Sequence, residues 1–132
     1  MIQHHFTKVL YATGLVTMTP LLQFFFPAQV LGLSMLQVGD AAGMLHAQHW
    51  GLLAFCFGAQ LVYAARNPLV RKPVVLAAGL EKLGLCALVL LGWNNPALQG
   101  LHPVLFIDGL CVILYAWWLA TLPNRDSQAV GP

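Results

Sequence analysis

The chain has 132 residues, of which 59% are hydrophobic and 8% charged. A soluble domain carries about 25% charged residues, so this inventory cannot clothe a water-exposed surface, and the chain reads as an all-α integral membrane protein. The formal charge of +2 rests on six Lys and Arg against four Asp and Glu; it offers no basic patch for nucleic acid and speaks to topology instead.

Four apolar runs follow one another, each close to the roughly 20 residues that cross a bilayer. The first span is expected over residues 7–26. Pro20 is predicted to bend it, with Thr17 and Thr19 placed to re-satisfy the carbonyl that a proline frees. No small-x-small cleavage pattern follows the run, so it is read as a retained span and not as a secretion signal. Pro27 is expected to end it. The connection PAQVLGLSMLQVGD is apolar for a loop and is expected to lie in the outer interface as a short amphipathic segment.

The second span is expected over 41–65 and stops before Asn67-Pro68, a turn signal. The third runs over 73–93, with Pro73 at a favourable first helical position and Asn94-Asn95-Pro96 beyond its end. The fourth covers 103–122, and a short polar tail, 123–132, follows. Short connections make consecutive helices antiparallel neighbours, so residues 1–132 are expected to form a single transmembrane domain, an up-down-up-down four-helix bundle. Ala54 with Gly58, and Ala77, Ala78 and Gly84, are small residues at helical spacing that let helices approach closely. Cys56, Cys86 and Cys111 fall inside spans; no disulfide framework is expected, and they read as small packing residues.

Positive charge orients the spans. Lys8, Arg66, Arg71, Lys72 and Arg125 fall on one side, while the connections 27–44 and 93–102 contain no Lys or Arg. Cytoplasmic loops retain positive charge, so both termini and the turn around Arg66–Lys72 are expected to be cytoplasmic. Trp50 and Trp93 then mark the outer interface, and Tyr115, Trp117 and Trp118 approach the inner one.

Ionisable groups enter the bundle from the outer side and at its centre. His46 and His49 belong to the outer turns of the second span, Glu81 and Lys82 to the middle of the third, and Asp108 lies about two turns into the fourth at ~1.5 Å per residue. On a helical wheel His46, His49, Leu53, Cys56 and Gln60 share one stripe, with Tyr63 at its edge, and Asp108, Cys111 and Tyr115 share another. Lipid offers polar groups no partner, so both stripes are expected to face the interior and to line an outward-opening polar pocket. Its candidates are His46, His49, Gln60, Glu81, Lys82, Asp108 and Tyr115. The i,i+3 spacing of His46 and His49 also suits metal or haem ligation, beside the plainer readings of pocket lining and interfacial solvation.

Lys82 and Asp108 are expected to pair across the third and fourth spans. A lone ammonium in the hydrocarbon core costs about 2.5–3.5 kcal/mol on insertion scales. Glu81 is the competing partner, for Lys82 or for a histidine of the second span. A structural ion pair and a binding or proton-handling role both remain open for this group. No Walker loop, GxGxxG, GxSxG, CxxC or HExxH pattern occurs, and no Arg falls inside an expected span, unlike the arginine-lined four-helical membrane glutathione enzymes. The residues therefore nominate no catalytic group and lean away from an enzyme.

The stretch FPAQVLGL, followed by QHWGLLAFCFGAQLVYAARNPLVRKPVVLAAGLEKLG, resembles small uncharacterised bacterial four-helix membrane proteins of the broad DoxX-like kind. The resemblance implies four spans, a basic turn between the second and third, a polar spot in the third, and the bacterial inner membrane as location. It also implies a connection with quinone-linked oxidoreductases as an accessory membrane subunit; no catalytic signature transfers. The function expected is binding of a small ligand or partner in the polar pocket, without catalysis. The alternatives are an accessory subunit of a quinone- or haem-linked oxidoreductase, using His46 or His49 with Asp108, and an oligomeric transporter or proton-coupled component. Haem, quinone and metal all stay open as cofactors. The expected partners are the lipid bilayer and further copies or a larger membrane complex.

Overall fold

The computed structural model describes residues 2–36 and 38–122; the polar tail expected at 123–132, with Arg125, lies outside the described residues. The described residues form helices and connecting turns. These are α1 (Ile2–Met18), α2 (Leu21–Phe25), α3 (Pro27–Leu33), α4 (Ala41–Arg66), α5 (Pro68–Leu91), a 3-10 turn at Pro96–Leu101, and α6 (His102–Ala120).

Each boundary has a local cause. Pro20 does more than bend the first run: it divides it into α1 and α2. Its missing N–H would have met the carbonyl of Val16, and the Thr19 hydroxyl donates to that carbonyl at 2.8 Å. This is the compensation expected of the neighbouring threonines. Pro27 begins α3 instead of closing the helix before it, because a proline is pre-organised for a first helical position. Asp40 caps α4, its carboxylate accepting the Gly43 N–H at 2.7 Å. Asn67 alone separates α4 from α5, and its side chain accepts the Leu69 N–H at 3.1 Å.

That cap corrects the expected start of the third span. The helix begins at Pro68, five residues before Pro73, and so takes in Arg71 and Lys72. Pro73 is tolerated inside it because the carbonyl it leaves unbonded belongs to exposed Leu69, in the first turn.

Packing follows the small residues. Gly51, Ala54, Gly58, Leu61 and Ala65 form the buried face of α4, and α1 and α2 run along it in the opposite direction. A Cβ placed on Gly58 would come within 2.6 Å of the Gly14 carbonyl and 2.7 Å of the Met18 N–H, and one on Gly51 within 2.5 Å of the Pro20 carbonyl. The backbones therefore touch, as the Ala54–Gly58 spacing suggested. Buried Gln23 closes the same seam beyond the proline break: its amide donates to the Ala47 carbonyl at 2.6 Å, while Gln48 donates back to the Phe24 carbonyl at 3.1 Å.

A hydrophobic core gathers toward the α4–α5 turn. Phe6 and Leu10 of α1, Leu61 and Ala64 of α4, Val75 and Ala78 of α5, and Cys111, Tyr115 and Trp118 of α6 meet there. Phe6 stacks on Trp118 at 4.4 Å with the rings 2° from parallel, and makes a T-shaped contact with Tyr115. At the far end of the molecule, Gly100 lies directly against the Ser34 backbone.

Two stretches among the described residues, Pro68–Leu91 and Pro96–Ala120, are long and apolar enough to cross a membrane. The two runs before them fall short for visible reasons. α1 ends at 17 residues, where Pro20 interrupts it, and α4 has the length but carries His46, Gln48, His49 and Gln60 along it.

The glycine seam yields a test. Gly58→Ala places its methyl against backbone, which cannot swing aside, and should destabilise the detergent-solubilised protein by about 1–3 kcal/mol. Gly84→Ala meets open space and should leave stability unchanged or slightly raised. Denaturation of the two variants in parallel would reveal equal effects if the seam were loose.

Candidate functional site

Helix α6 buries one stripe, Asp108, Cys111, Tyr115 and Trp118, and α5 buries another, Arg71, Val75, Ala78, Lys82, Cys86 and Val89. The two helices are antiparallel, so Asp108, early in α6, meets Lys82, midway along α5. The ammonium donates to Asp108 Oδ1 at 2.6 Å, and the two side chains are 4% and 9% exposed. The pairing expected from the cost of a lone buried charge is thus present. Cys86 lies one turn further along α5, its Sγ 3.9 Å from the Leu105 carbonyl.

Glu81 precedes this pair and takes no part in it. It is half-buried, and the ion pair and hydrogen bond formed here belong to Lys82 and Asp108 alone. Three charges therefore sit within about one helical turn of one another: two neutralise each other, and a carboxyl group is left over. Such a group can accept a proton, or receive a hydrogen bond or a cation from a bound molecule.

Tyr115 is directed elsewhere. Its hydroxyl donates to Thr13 Oγ1 at 2.7 Å, and Thr13 in turn donates to the Val9 carbonyl at 2.9 Å. The α6 stripe is buried as expected, yet its tyrosine joins α6 to α1. Beside it an apolar groove between α5 and α6 is lined by Val75, Leu76, Gly79, Leu83 and Val112 among others. It is not the polar pocket expected from the sequence.

The α4 stripe is a correction. His46, His49, Leu53, Cys56, Gln60 and Tyr63 do share one face, but all six are exposed. Gly51, Ala54, Gly58, Leu61 and Ala65 occupy the opposite face, about 200° around the helix, and glycines let α1 approach far closer than a histidine face would. The histidines therefore take no part in the buried Lys82–Asp108 pair within this chain. Among the described residues no group of three or more His, Cys, Asp and Glu side chains is placed to hold a metal ion. His46 and His49 would need donors from elsewhere to bind one.

Arg71 was overlooked because the sequence assigned it to a loop. It is buried at 4% exposure, and its guanidinium donates to the Ala64 and Ala65 carbonyls at 3.1 and 2.9 Å and to the Thr7 hydroxyl at 3.2 Å. It thus occupies carbonyls left open at the end of α4 and ties them to α1. The readable signal was Asn67-Pro68, a cap followed by a proline, which starts the helix early enough to include Arg71. His102, at the start of α6, stacks on Trp93 with centroids 3.9 Å apart and rings 6° from parallel, and its Nε2 is buried without a hydrogen-bond partner.

Asp108→Asn removes the charge that balances Lys82. Breaking a buried pair costs about 3–5 kcal/mol, so the variant should unfold at markedly lower denaturant concentration. Lys82→Met placed in that background should recover part of the loss, whereas simple additivity would show that the two residues are uncoupled.

Comparison of the chain with family models, with curated proteins and with solved structures finds no match.

Proposed function

We propose that this chain is a small multi-pass protein of the bacterial inner membrane, with cytoplasmic termini, whose helices form a four-span up-down-up-down bundle. Its function is to bind a small ligand or partner at the polar centre formed by Glu81, Lys82 and Asp108, without catalysis of its own. Two helical stretches of spanning length and apolarity support the membrane location, as do the one-sided distribution of Lys and Arg and the resemblance to DoxX-like proteins. The antiparallel registers of α1 with α4 and of α5 with α6 support the topology. On this reading α1 and α2 together supply the first span, with the Pro20 break held inside it by Thr19, Gln23 and Gln48.

The observation that carries the binding role is Glu81. A carboxyl group midway along an apolar span is expensive, and the nearest cation is already held at 2.6 Å by Asp108. A purely structural ion pair needs no third charge. The Lys82–Asp108 pair holds α5 against α6 and fixes the depth at which Glu81 is presented, so a ligand bearing a cation or a hydrogen-bond donor meets a pre-positioned acceptor. The α4 histidines, being on the exposed face, are not part of this centre within one copy.

Native mass spectrometry of the protein extracted together with its lipids tests the role. A bound molecule of defined mass should accompany the unaltered protein and be lost in Glu81→Gln, while His46→Ala retains it. A Glu81→Gln protein with the same bound mass would refute a ligand site at Glu81.

A further inference from the structure

Six exposed positions of α4 share one face and have an unusual spacing. His46, His49, Leu53, Cys56, Gln60 and Tyr63 are separated by three, four, three, four and three residues, the alternation that keeps one seam of a helix facing a parallel partner helix. In water an exposed His and Gln face needs no explanation. On the membrane-spanning reading, on which this inference rests, it does, because acyl chains satisfy neither an imidazole nor an amide. The opposite face of α4 is already filled by α1 and α2, so the stripe is a second seam without an occupant in this chain.

Three features identify that occupant as a second copy. Every copy inserts with the same orientation, so two α4 helices meet in parallel and the stripe of one packs along the stripe of the other, beside the α5 that follows it. Gln60 is both donor and acceptor and therefore complements itself. Donors and acceptors also complement one another. Glu81 is the one acidic side chain within a helix, among the described residues, that lacks an ion-pair partner; the stripe supplies a pair of imidazoles, each with a ring N–H that can donate to a carboxylate. Counted from the α4–α5 turn at ~1.5 Å per residue, His49 lies about 25 Å and Glu81 about 20 Å along their helices, a difference that side chains can span.

We propose that two copies of this chain associate side by side through the α4 stripe, with His49 of one copy brought to the level of Glu81 of the other. The binding centre of one copy is then completed by an imidazole from its neighbour. This accounts for polar residues on the outer face of α4 and for an unpaired carboxyl group on α5.

The native cysteines make the proposal testable in membranes. Cys56 is exposed on the stripe, whereas Cys86 and Cys111 are buried. Mild oxidation of membranes containing the full chain should yield a disulfide-linked dimer that disappears in Cys56→Ser. In that background, cysteines introduced at Leu53 or Gln60 should restore it, and cysteines at the exposed positions Leu88 and Phe106 should cross-link at least several-fold less. Diluting the protein with added lipid should leave the stripe cross-links unchanged, and Glu81→Gln should lower their yield several-fold. Cross-linking at Leu53, Cys56 and Gln60 no stronger than at Leu88 and Phe106 would overturn the proposal, as would a cross-linked product containing a different protein. An unchanged yield in Glu81→Gln would overturn the His49–Glu81 complementarity. Carbonate extraction of the same membranes shows separately whether the chain is integral to them, so failure of the membrane reading is told apart from failure of the dimer.

Discussion

The Lys82–Asp108 ion pair is the constraint on which the second half of the molecule depends. Two helices as apolar as α5 and α6 have no strong preference for one register over another, since sliding by a turn exchanges one set of Leu, Val and Ala contacts for a similar set. A charge on each removes that freedom. With Nζ and Oδ1 at 2.6 Å, a slip of one turn, about 5.4 Å, would leave an ammonium and a carboxylate apart in a medium that stabilises neither. The pair also sets which faces are turned inward: the stripes through Lys82 and Asp108 are the buried stripes of their helices.

The first half is held by a different principle. α1, α2 and α4 approach through glycines, so closely that carbonyls of one helix lie where a side chain of the other would begin. The two halves are then joined toward the α4–α5 turn. Arg71 reaches from α5 to the end of α4 and to α1, Tyr115 from α6 to α1, and Arg66 from α4 to the Tyr11 hydroxyl at 2.9 Å. These polar ties surround the stacked Phe6 and Trp118. Directional bonds at one end and an ion pair midway give a mostly apolar chain a defined geometry with few charged residues.

Much of this was legible in the residues, and the failures are instructive. Helix positions followed from apolar runs and their punctuation. The Lys82–Asp108 pairing followed from the cost of a buried charge, and the burial of Asp108, Cys111 and Tyr115 from their spacing. The α4 stripe was misassigned because polarity was taken to mean inward. Polarity marks a face that lipid disfavours, but it does not say whether the partner belongs to the same chain. The small residues on the other side carried the packing information: Gly51, Ala54 and Gly58 admit a neighbour closely, and α1 brings Gly14 to meet them. Arg71 was misread by treating every basic residue near a turn as a loop charge, and Pro20 by treating a break as a bend. A cap and a proline at Asn67-Pro68 outweigh a second proline five residues later.

Glu81 carries the proposed function. Under that proposal the three ionisable groups placed together, one of them without an ion-pair partner, form a centre for something that enters from outside the chain. That reading stands on the membrane location, which is tested most directly by the accessibility of single cysteines in intact cells carrying Cys56→Ser. Cysteine in place of Gln99 should react with an impermeant thiol reagent added from outside, and cysteine in place of Arg125 only after the membrane is opened. Labelling of both positions from the same side would contradict the four-span account.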